Sequence, residues 1–340
     1  MFQSQIAAVQ LEDMPDDVIA ARPILERRSR PRPPRKASCS MRPMRVGDVA
    51  RALRIAAMNF GSEVNLIARS YVWHFARRAG LDDVSAMWSK RCVRVSTGED
   101  TVSFDAVSSF VHGRDVAWLN LTEIDGPDAD LVLDALSQWP RVHRLLVVRI
   151  RETLLPLFVS AGFELAGTMP DGNERHYYLH APRDRLAADV GAPVSVRFGA
   201  RDLPHADCEF SVIEREGSII GLSGIYEVEF WRDVTWGAWG AMDPAAARRD
   251  AVFDTLRLTE ERCRAQGARW FCLETSDASK YRHARRIYEL YGLEPLMRIP
   301  RFYVDGDGAR EETFIVYGKR LDTAAETRAR ELTVRKPLAV

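Results

Sequence analysis

The sequence predicts a mixed α/β protein built from two domains. Segments with the helical spacing of apolar residues are interleaved with segments in which apolar and polar side chains alternate, as they do in strands. The length of 340 residues is enough for two cores of ordinary size. In addition, one helix and the strand after it occur twice along the chain. Together these observations favour duplication of an α/β domain.

The repeated unit is an amphipathic helix that ends at a glycine, with a proline at the same interval beyond it. Gly162 and Pro170 mark the first copy, and Gly292 and Pro300 mark the second. The apolar stripes of the helices are Leu154, Leu157, Phe158 and Ala161 in the first copy and Ala284, Ile287, Tyr288 and Tyr291 in the second. Both glycines stand where a left-handed residue closes a helix. The period is too long for a solenoid.

The first domain is predicted to span residues 41–182. A short strand at 44–47 precedes two amphipathic helices, at 49–60 and 65–80, with Asp48 as the N-cap of the first. Three strands then lie within 91–124, with turns at "TGED" and "HGRD". The remaining elements are a helix at 129–139, a strand at 144–150, a helix at 151–162 and strands at 163–169 and 175–181.

The second domain is predicted to span residues 194–322, after a linker at 183–193. Its first four strands fall at 194–198, 208–216, 218–230 and 234–243, and a helix, a strand and the second copy of the repeated helix follow. Residues 323–340 are predicted to be a C-terminal tail. Residues 1–40 mix proline with arginine and predict a flexible tail. A nucleic-acid arm and a true start at Met41 or Met44 are the alternatives.

The bulk composition limits the partners. Basic and acidic side chains balance, 48 against 48, which gives no global attraction to nucleic acid or to an anionic membrane. The five cysteines are scattered with no C-x-x-C pair, so a reducing cytoplasm is the expected compartment. No run is apolar for the roughly 18 residues that a membrane helix needs. We therefore expect neither a membrane nor a nucleic acid as partner, while a homodimer is compatible with the sequence.

The second domain resembles the GNAT acyltransferase superfamily from about Val194 to Leu321. The resemblance is carried by "GAWGAMDP", "EERCRAQGARWFCLETS", "ARRIYELYGL" and the ending "RIPRFYVDGDGAREETFIVYGKRL". The first domain is similar as a more distant copy, mainly through "LLPLFVSAGFELAGTMPDGNERHYYL". The resemblance implies two tandem GNAT-like acyl-CoA N-acyltransferase domains. Each would be a mixed, strongly twisted sheet whose fourth and fifth strands part to admit the pantetheine of acyl-CoA.

The resemblance also implies a direct transfer. An amine attacks the thioester, backbone N–H groups of the fourth strand stabilise the oxyanion, and an acid and a base move the protons. Tyr288 stands at the place of the acid, whereas the first domain has Phe158 there, which cannot donate a proton. A buried aromatic of the helical stripe is the alternative role for Tyr288.

The candidate bases are Glu227 and Glu274. Glu227 shares a strand face with Glu229, and Glu274 closes the strand after the helix. For each, a surface or ion-paired carboxylate is the alternative. Members of the superfamily that deprotonate the amine through water need no such residue.

The phosphate-binding turn implied by the resemblance falls on residues 247–252 and lacks both of its glycines. Asp250 in that turn would repel a diphosphate, and we expect it to cap the helix instead. The equivalent first-domain turn, "EIDGPDADLVL", carries three aspartates and no basic residue. The residues predicted to bind acetyl-CoA or another acyl-CoA are Ala241, Met242, Arg248, Arg249, Ala251 and Val252.

Three functions remain open. The first is an N-acyltransferase that acts on an amine of a small molecule or a protein, and the second is a GNAT-like scaffold that binds no acyl-CoA and serves as a binding module. The third is the same scaffold with another donor, such as aminoacyl-tRNA or a carrier protein. Only "GARDLPHAD" joins the first two strands of the second domain, so the helices that shape an acceptor pocket are missing there. A surviving site is therefore expected between the halves, with the first domain lending a wall.

Two further pairs of residues are candidate sites. His176 and His180 lie about 13 Å apart along a strand, too far to chelate one metal. They are predicted to be surface residues, and no metal site is predicted. Trp236 and Trp239 are interpreted as sharing a strand face, where they either line a pocket or fill the core.

Overall fold

The computed structural model describes residues 39–61, 64–79, 88–109, 115–140, 142–171, 174–186, 194–202, 208–227, 231, 233–304 and 311–322. The strands are β1 Ser40–Pro43, β2 Trp88–Thr97, β3 Asp100–Ser109, β4 Val116–Asn120, β5 Leu145–Ile150, β6 Glu164–Asp171, β7 Glu174–Pro182, β8 Ser195–Asp202, β9 Cys208–Arg215, β10 Ser218–Glu227, β11 Val234–Met242, β12 Trp270–Ser276, β13 Glu294–Val304 and β14 Glu311–Arg320. The α-helices are α1 Val49–Phe60, α2 Val64–Arg78, α3 Gly126–Ser137, α4 Leu155–Ser160, α5 Arg249–Ala265 and α6 Arg282–Tyr291. This content confirms the predicted mixed α/β class. Within these ranges no helix has the length and apolarity needed to cross a bilayer.

The described strands form one sheet that consists of two sets. The C set runs β1-β9-β10-β11-β12-β14-β13, and the N set continues it as β6-β7-β5-β4-β3-β2-β8. Counted from its outer edge, each set has its parallel pair between the fourth and fifth strands, β11 with β12 and β4 with β5. The two sets meet where β13 lies antiparallel to β6, at Met297 and Gly167.

Two segments of the chain pack with the strand set formed mainly by the other half. β1 pairs with β9, and α1 and α2 pack on β9, β10 and β11, so the two helices near the start of the chain cover the C set. β8 pairs with β2 and forms the outer edge of the N set. The domain boundaries at 41–182 and 194–322 stay a prediction about the chain. In the sheet, each set takes its outer strand from the other half.

Three apolar cores follow from this arrangement. One lies between the N set and helices α3 and α4, and another lies between the C set and helices α5 and α6. The third lies under α1 and α2 and continues onto the inner face of the N set, where it includes Trp118 and Tyr178. Aromatic contacts between Trp118 and both Phe302 and Phe314 join the two sets in this core.

Several local predictions are settled by the backbone. Gly162 and Gly292 have φ of 94° and 89°, which confirms that both close their helices in the left-handed region. The strand predicted at 44–47 is wrong, because β1 ends at Pro43 and Val46–Asp48 forms a 3-10 turn. Asp48 precedes α1 without capping it, since its carboxylate accepts a hydrogen bond from the Arg45 N–H at 2.7 Å instead.

The two ends of the chain were predicted to be tails. Cys39 is buried and Ser40 begins β1, so these two residues belong to the sheet. Residues 1–38 and 323–340 lie outside the described residues, as do most residues of the predicted linker.

Candidate functional site

The parallel strands of the C set part after three pairs. Val234 faces Trp270, and the last pair is Trp236 with Cys272. Beyond it, residues 237–242 of β11 and 273–276 of β12 are not paired with each other. The two strands therefore open a gap at their carboxyl ends. Backbone N–H and C=O groups along this gap need another partner when they are buried.

The equivalent strands of the N set stay together. β4 and β5 pair along the whole length of β4, from Val116 with Leu145 to Asn120 with Arg149. The next N–H, that of Leu121, donates to the Arg149 carbonyl at 2.8 Å. Among the described residues, the opening is thus a property of the C set alone.

A β-bulge at Trp239 accompanies the opening. Leu222 of β10 pairs with Ala241 but Gly224 pairs with Ala238, so Trp239 and Gly240 together stand opposite one residue. Trp239 has φ of 50°, a left-handed value that is strained for a bulky side chain. Residues in such conformations persist only where their surroundings hold them, and they concentrate at functional sites.

The Trp239 side chain is held by helix α1. It is fully buried and meets Phe60 edge-on, with ring centroids 5.6 Å apart. Because of the bulge, Trp239 lies in the same core as Trp236, under α1 and α2. The predicted common face of these tryptophans is confirmed, and both fill the core. The glycines on either side in "GAWGA" were the available sequence signal, since a glycine within a strand often marks a bulge.

Two polar contacts fix α1 to the end of β11. Arg51 forms an ion pair with Asp243 at 2.5 Å, and the Asn59 amide donates to the Met242 carbonyl at 2.9 Å. Arg51 and Asp243 are 192 positions apart in the chain, so sequence reasoning gave no sign of the contact. These bonds place residues of the first half beside the opening in the second, and a site with a wall from the first half stays a prediction.

Side chains fill most of the opening on its α5 and α6 side. A cavity of about 20 Å³ remains there, lined by residues that include Gly237, Leu273 and Tyr288, and it has room for about one water molecule. Leu273 lies directly over Gly237, because a Cβ added to that glycine would be 2.4 Å from the Leu273 Cδ2 atom. Leu273 is thus the main side chain that a ligand in the gap would displace.

Tyr288 reaches the same small cavity from α6. It is fully buried and meets Tyr317 edge-on at a centroid distance of 5.6 Å. The structure brings it to the opening, as a proton donor there requires, and also packs it in the core. Its role in the reaction stays a prediction. Phe158 holds the corresponding place on α4 and packs edge-on against Phe163.

The turn between β11 and α5 closes on itself. The N–H of Ala245 donates to the Asp243 carboxylate at 3.0 Å, and the N–H of Ala246 donates to the Asp243 carbonyl at 2.8 Å. The N–H groups of Ala247 and Arg248 donate to carbonyls of the same turn, at 3.4 and 2.8 Å. These four groups are therefore engaged within the turn.

Asp250 does not cap α5, so this prediction was wrong. The helix begins at Arg249, its N-cap is Arg248, and no side chain caps it. Asp250 lies one residue into the helix, where a carboxylate favours the helix dipole. It lies 3.5 Å from the Arg215 guanidinium. Since the N-cap side chain makes no capping hydrogen bond, the start of α5 is the part of the turn that best suits an anion.

The predicted acyl-CoA-binding residues lie around this turn with different exposure. Ala241 and Met242 are buried residues of β11, and Ala251 and Val252 are buried residues of α5, so only their backbones could face a ligand. Arg248 is 69% exposed, and Arg249 lies over the Phe253 ring at 5.5 Å. Their assignment as a cofactor site stays a prediction.

The two candidate bases are separated by the structure. Glu227 is the last residue of β10 and accepts a hydrogen bond from Thr235 at 3.0 Å. Thr235 lies in the paired part of β11, so Glu227 is at the closed end. Glu274 is buried on β12 beyond the last pair, and alternation places it on the face of Cys272, under α1 and α2. Only Glu274 reaches the opening, and Glu229 lies outside the described residues.

His176 and His180 are buried, which corrects their predicted surface position. Their strand, β7, lies between β5 and β6, so neither of its edges is free. The Arg149 guanidinium lies 2.7 Å from the Nδ1 atom of His176. The same guanidinium donates a hydrogen bond to the Asp171 carboxylate at 2.5 Å. Burial and the nearby Arg149 charge lower the pKa of His176 despite its acidic neighbours, so the neutral form is favoured. The group is an internal ion cluster on the inner face of the N set.

Comparison with solved structures finds several that are similar to part of this chain. One similar solved structure is an acetyltransferase of the GNAT family from Desulfovibrio desulfuricans, with 21% identity, a TM-score of 0.31 and coverage of 34% of this chain and 69% of that one. Another is the ribosomal-protein-S18-alanine N-acetyltransferase of Escherichia coli, with 18% identity, a TM-score of 0.29 and coverage of 34% and 70%. An acetyltransferase from Salmonella typhimurium, solved with its cofactor acetyl-CoA, has 15% identity, a TM-score of 0.30 and coverage of 35% and 67%.

The matched structures are acetyltransferases, each similar to about a third of this chain, and both the GNAT resemblance and the tandem arrangement stay predictions. The sequence matches no known protein-family profile and no curated protein. At these identities the likeness says nothing of an acceptor or of the role of any residue.

Proposed function

We propose that the chain is an acyl-CoA-dependent N-acyltransferase with its site at the opening between β11 and β12. The observation that carries the proposal is the combination of parted strands with a strained bulge at Trp239. In the described residues the N set has neither feature at β4 and β5. The proposed activity therefore belongs to one site, in the C set, with α1 and α2 as the wall on the acceptor side.

The residues at the opening have distinct tasks in this proposal. The pantetheine amides pair with backbone groups of residues 237–242, and an N–H in this segment stabilises the oxyanion that forms when the amine attacks. Tyr288 donates a proton to the leaving thiolate from the α6 side. Glu274 accepts the amine proton from the other face of the sheet. The acceptor is an amine of a small molecule or a protein that enters beneath α1.

The fit to acyl-CoA is incomplete both at the strands and at the turn. The pantetheine arm needs Leu273 to swing away from Gly237. The diphosphate has only the first N–H groups of α5 and the Arg248 side chain, because the turn uses its other N–H groups internally. These two observations favour a second candidate, a scaffold that no longer binds acyl-CoA and serves as a binding module.

Calorimetric titration of the full chain with acetyl-CoA separates the two candidates. An acyltransferase binds acetyl-CoA and releases CoA thiol when amines are added. In Leu273→Ala the gap is wider, so we expect tighter binding of acetyl-CoA. Leu146→Ala is the matched control, because it removes the same atoms from a buried site on the closed strand β5.

The outcomes have distinct meanings. Binding by the wild type that Leu273→Ala strengthens and Leu146→Ala leaves unchanged supports the enzyme. Binding that appears only in Leu273→Ala supports the scaffold, with the gap closed in the natural protein. No heat with any of the three proteins at millimolar acetyl-CoA contradicts a donor site at the opening.

A further inference from the structure

A second candidate site lies where the two strand sets meet. A cleft of about 830 Å³ is lined by the first residue of β5, the last residue of β7 and residues of the β13 bulge. Pockets of this size bind small molecules, and such pockets often lie at boundaries between structural units. The cleft is at the end of the N set opposite to the carboxyl ends of β4 and β5. It is thus distinct from the opening described above.

Positive charge dominates the lining of this cleft. Its charged side chains are the guanidiniums of Arg144, Arg183, Arg185 and Arg301 against the carboxylates of Glu164 and Asp184. Two histidines also line it. The excess lies in the lining alone, because Asp115 and Glu311, just outside it, pair with Arg144 and Arg301, so an anionic ligand has to compete with these carboxylates.

Two of the arginines are fixed by backbone carbonyls. Arg144 donates to the carbonyls of Arg301 and Phe302 at 2.7 and 2.9 Å, which ties β5 to the β13 bulge, and it also pairs with Asp115 outside the cleft. Arg183 donates to the Trp139 carbonyl at 2.9 Å. Carbonyl acceptors orient a guanidinium and leave its net charge in place.

The other two arginines are in exposed ion pairs. Arg185 donates to Glu164 at 2.7 Å, and Arg301 donates to Glu311 at 3.0 Å. Both arginine side chains are more than half exposed. Exposed pairs of this kind contribute little to stability, so a stronger anion can take their place. A phosphate suits a guanidinium best, because it accepts two parallel hydrogen bonds.

Two independent features point to a ligand here. Arg301 has φ of 54°, the left-handed region, at a bulge of β13, and such strain in a non-glycine residue is characteristic of ligand clamps. His180 lines the cleft and is 5% exposed, and in the described part of the chain its Nδ1 has no hydrogen-bond partner. A buried ring nitrogen without a partner is costly unless something else satisfies it.

We propose that this cleft binds a phosphorylated small molecule, with Arg185 and Arg301 as the exchangeable clamps and Arg144 and Arg183 as fixed charges. Glu164 and Glu311 leave the clamps when the phosphate arrives. The site does not depend on the acyltransferase activity, since none of these residues belongs to the opening between β11 and β12.

The test is calorimetric titration of the full chain with sodium pyrophosphate at low ionic strength, with citrate in a parallel series. We expect saturable binding of pyrophosphate by the wild type and weaker binding of citrate. Affinity for pyrophosphate should fall about tenfold or more in the double variant Arg185→Ala/Arg301→Ala, because two charged hydrogen-bond partners are removed. Thermal unfolding of each variant shows whether the fold is retained.

Two single variants locate the site. Arg257→Ala removes an exposed arginine that pairs with Glu261 on α5, away from the cleft, and should leave the affinity for pyrophosphate unchanged. Arg248→Ala removes the arginine of the α5 turn, the other place proposed above for a diphosphate, and so reports any pyrophosphate that binds there. If Arg248→Ala lost binding and the double variant retained it, the anion would be shown to bind at the α5 turn, and the proposal would be overturned. Absence of binding by the wild type, or citrate binding at least as tight as pyrophosphate, would overturn it as well.

Discussion

Leu273 and Tyr288 decide what the gap between β11 and β12 can hold. Leu273 lies over Gly237 and occupies the space that the proposed pantetheine arm would need, while Tyr288 lines the remaining cavity from α6. Both side chains are buried, so a ligand has to move one of them to enter. The chemistry at this site therefore depends on single side chains rather than on a preformed pocket.

Replacement of Tyr288 by phenylalanine tests its role as an acid. We expect the rate of CoA thiol release to fall about 100-fold, because general acid catalysis of this kind contributes factors of roughly 10² to 10⁴. The affinity for acetyl-CoA should stay within about twofold, since the ring still fills its place. Rates come from a thiol assay and affinity from calorimetry.

Tyr317→Phe is the control for this change, because Tyr317 is the buried neighbour that meets Tyr288 edge-on. Its hydroxyl donates to Glu289 at 3.2 Å on α6, so its loss should lower stability slightly and leave thiol release intact. An unchanged rate in Tyr288→Phe would show that Tyr288 is a packing residue.

At this scale the sequence pointed to some residues and missed others. Tyr288 was found because its position in a helical stripe matches a family motif. Arg51, Asn59 and Leu273 were missed, since the contacts that bring the first two to β11 join distant parts of the chain. Asp250 was misassigned because the N-cap was placed two residues too late, at 250 instead of Arg248, and capping depends on that position.

At the scale of elements, one carboxylate joins α5, α6 and β14. Glu260 of α5 accepts hydrogen bonds from Tyr291 of α6 at 2.7 Å and from Lys319 of β14 at 2.8 Å, and from Arg264 of α5 itself. Burial raises the pKa of Glu260, but these three hydrogen bonds outweigh it and hold the pKa below its ordinary value. The two helices that flank the opening are thus fastened to the sheet by a charged group.

The stability of the protein should depend on this group in acid. A carboxyl whose folded pKa lies below its unfolded pKa of about 4.3 stabilises the fold fully above that value, and the contribution is lost as the pH falls through the folded pKa. We expect Glu260→Gln to lower the free energy of unfolding by about 2 kcal/mol at pH 7. The difference from the wild type should shrink in acid.

Urea unfolding across this pH range measures both effects. Glu261→Gln is the matched control, because Glu261 is the next residue and forms an exposed pair with Arg257, which is worth at most about 1 kcal/mol. An equal loss of stability at every pH in Glu260→Gln would contradict the assignment.

Most elements were predictable from the sequence, but their assembly was not. The spacing of apolar residues and the turn-forming residues predicted nearly every strand to within a few residues. They did the same for the helices α1, α2, α3, α5 and α6. The exchange of β1 and β8 between the sets was not predictable. The alternation of apolar and polar residues in an edge strand sets which of its faces is buried, but it does not say which strand it pairs with. The glycines of "GAWGA" hint at the bulge at Trp239, but no local pattern records its packing against α1 or the parting of β11 from β12.

At the scale of the whole molecule, the two strand sets are joined at Gly167. It pairs with Met297 and has φ of 155°. A Cβ at this position would lie 2.1 Å from the Leu296 carbonyl oxygen, which belongs to the backbone and cannot swing aside. Only glycine allows β6 and β13 to approach this closely. The continuity of the sheet thus depends on one residue without a side chain.

Gly167→Ala should weaken the whole molecule. We expect the free energy of unfolding to fall by about 3 kcal/mol, from the clash and the backbone strain together. Gly217→Ala is the control for strain alone, since Gly217 has φ of 75° in a hairpin with open space around it. Chemical denaturation compares the two variants. Equal losses in both would show that the close approach of β6 and β13 is not what the glycine provides.

Hydrogen–deuterium exchange of the full chain with and without saturating acetyl-CoA tests most directly whether one acyl-CoA site lies in the C set. The account predicts that acetyl-CoA slows exchange in peptides that contain residues 237–242 and 273–276, at the parted ends of β11 and β12. Exchange at β4 and β5, residues 116–120 and 145–150, should not change. Protection of β4 and β5 with none at the parted strands would contradict it.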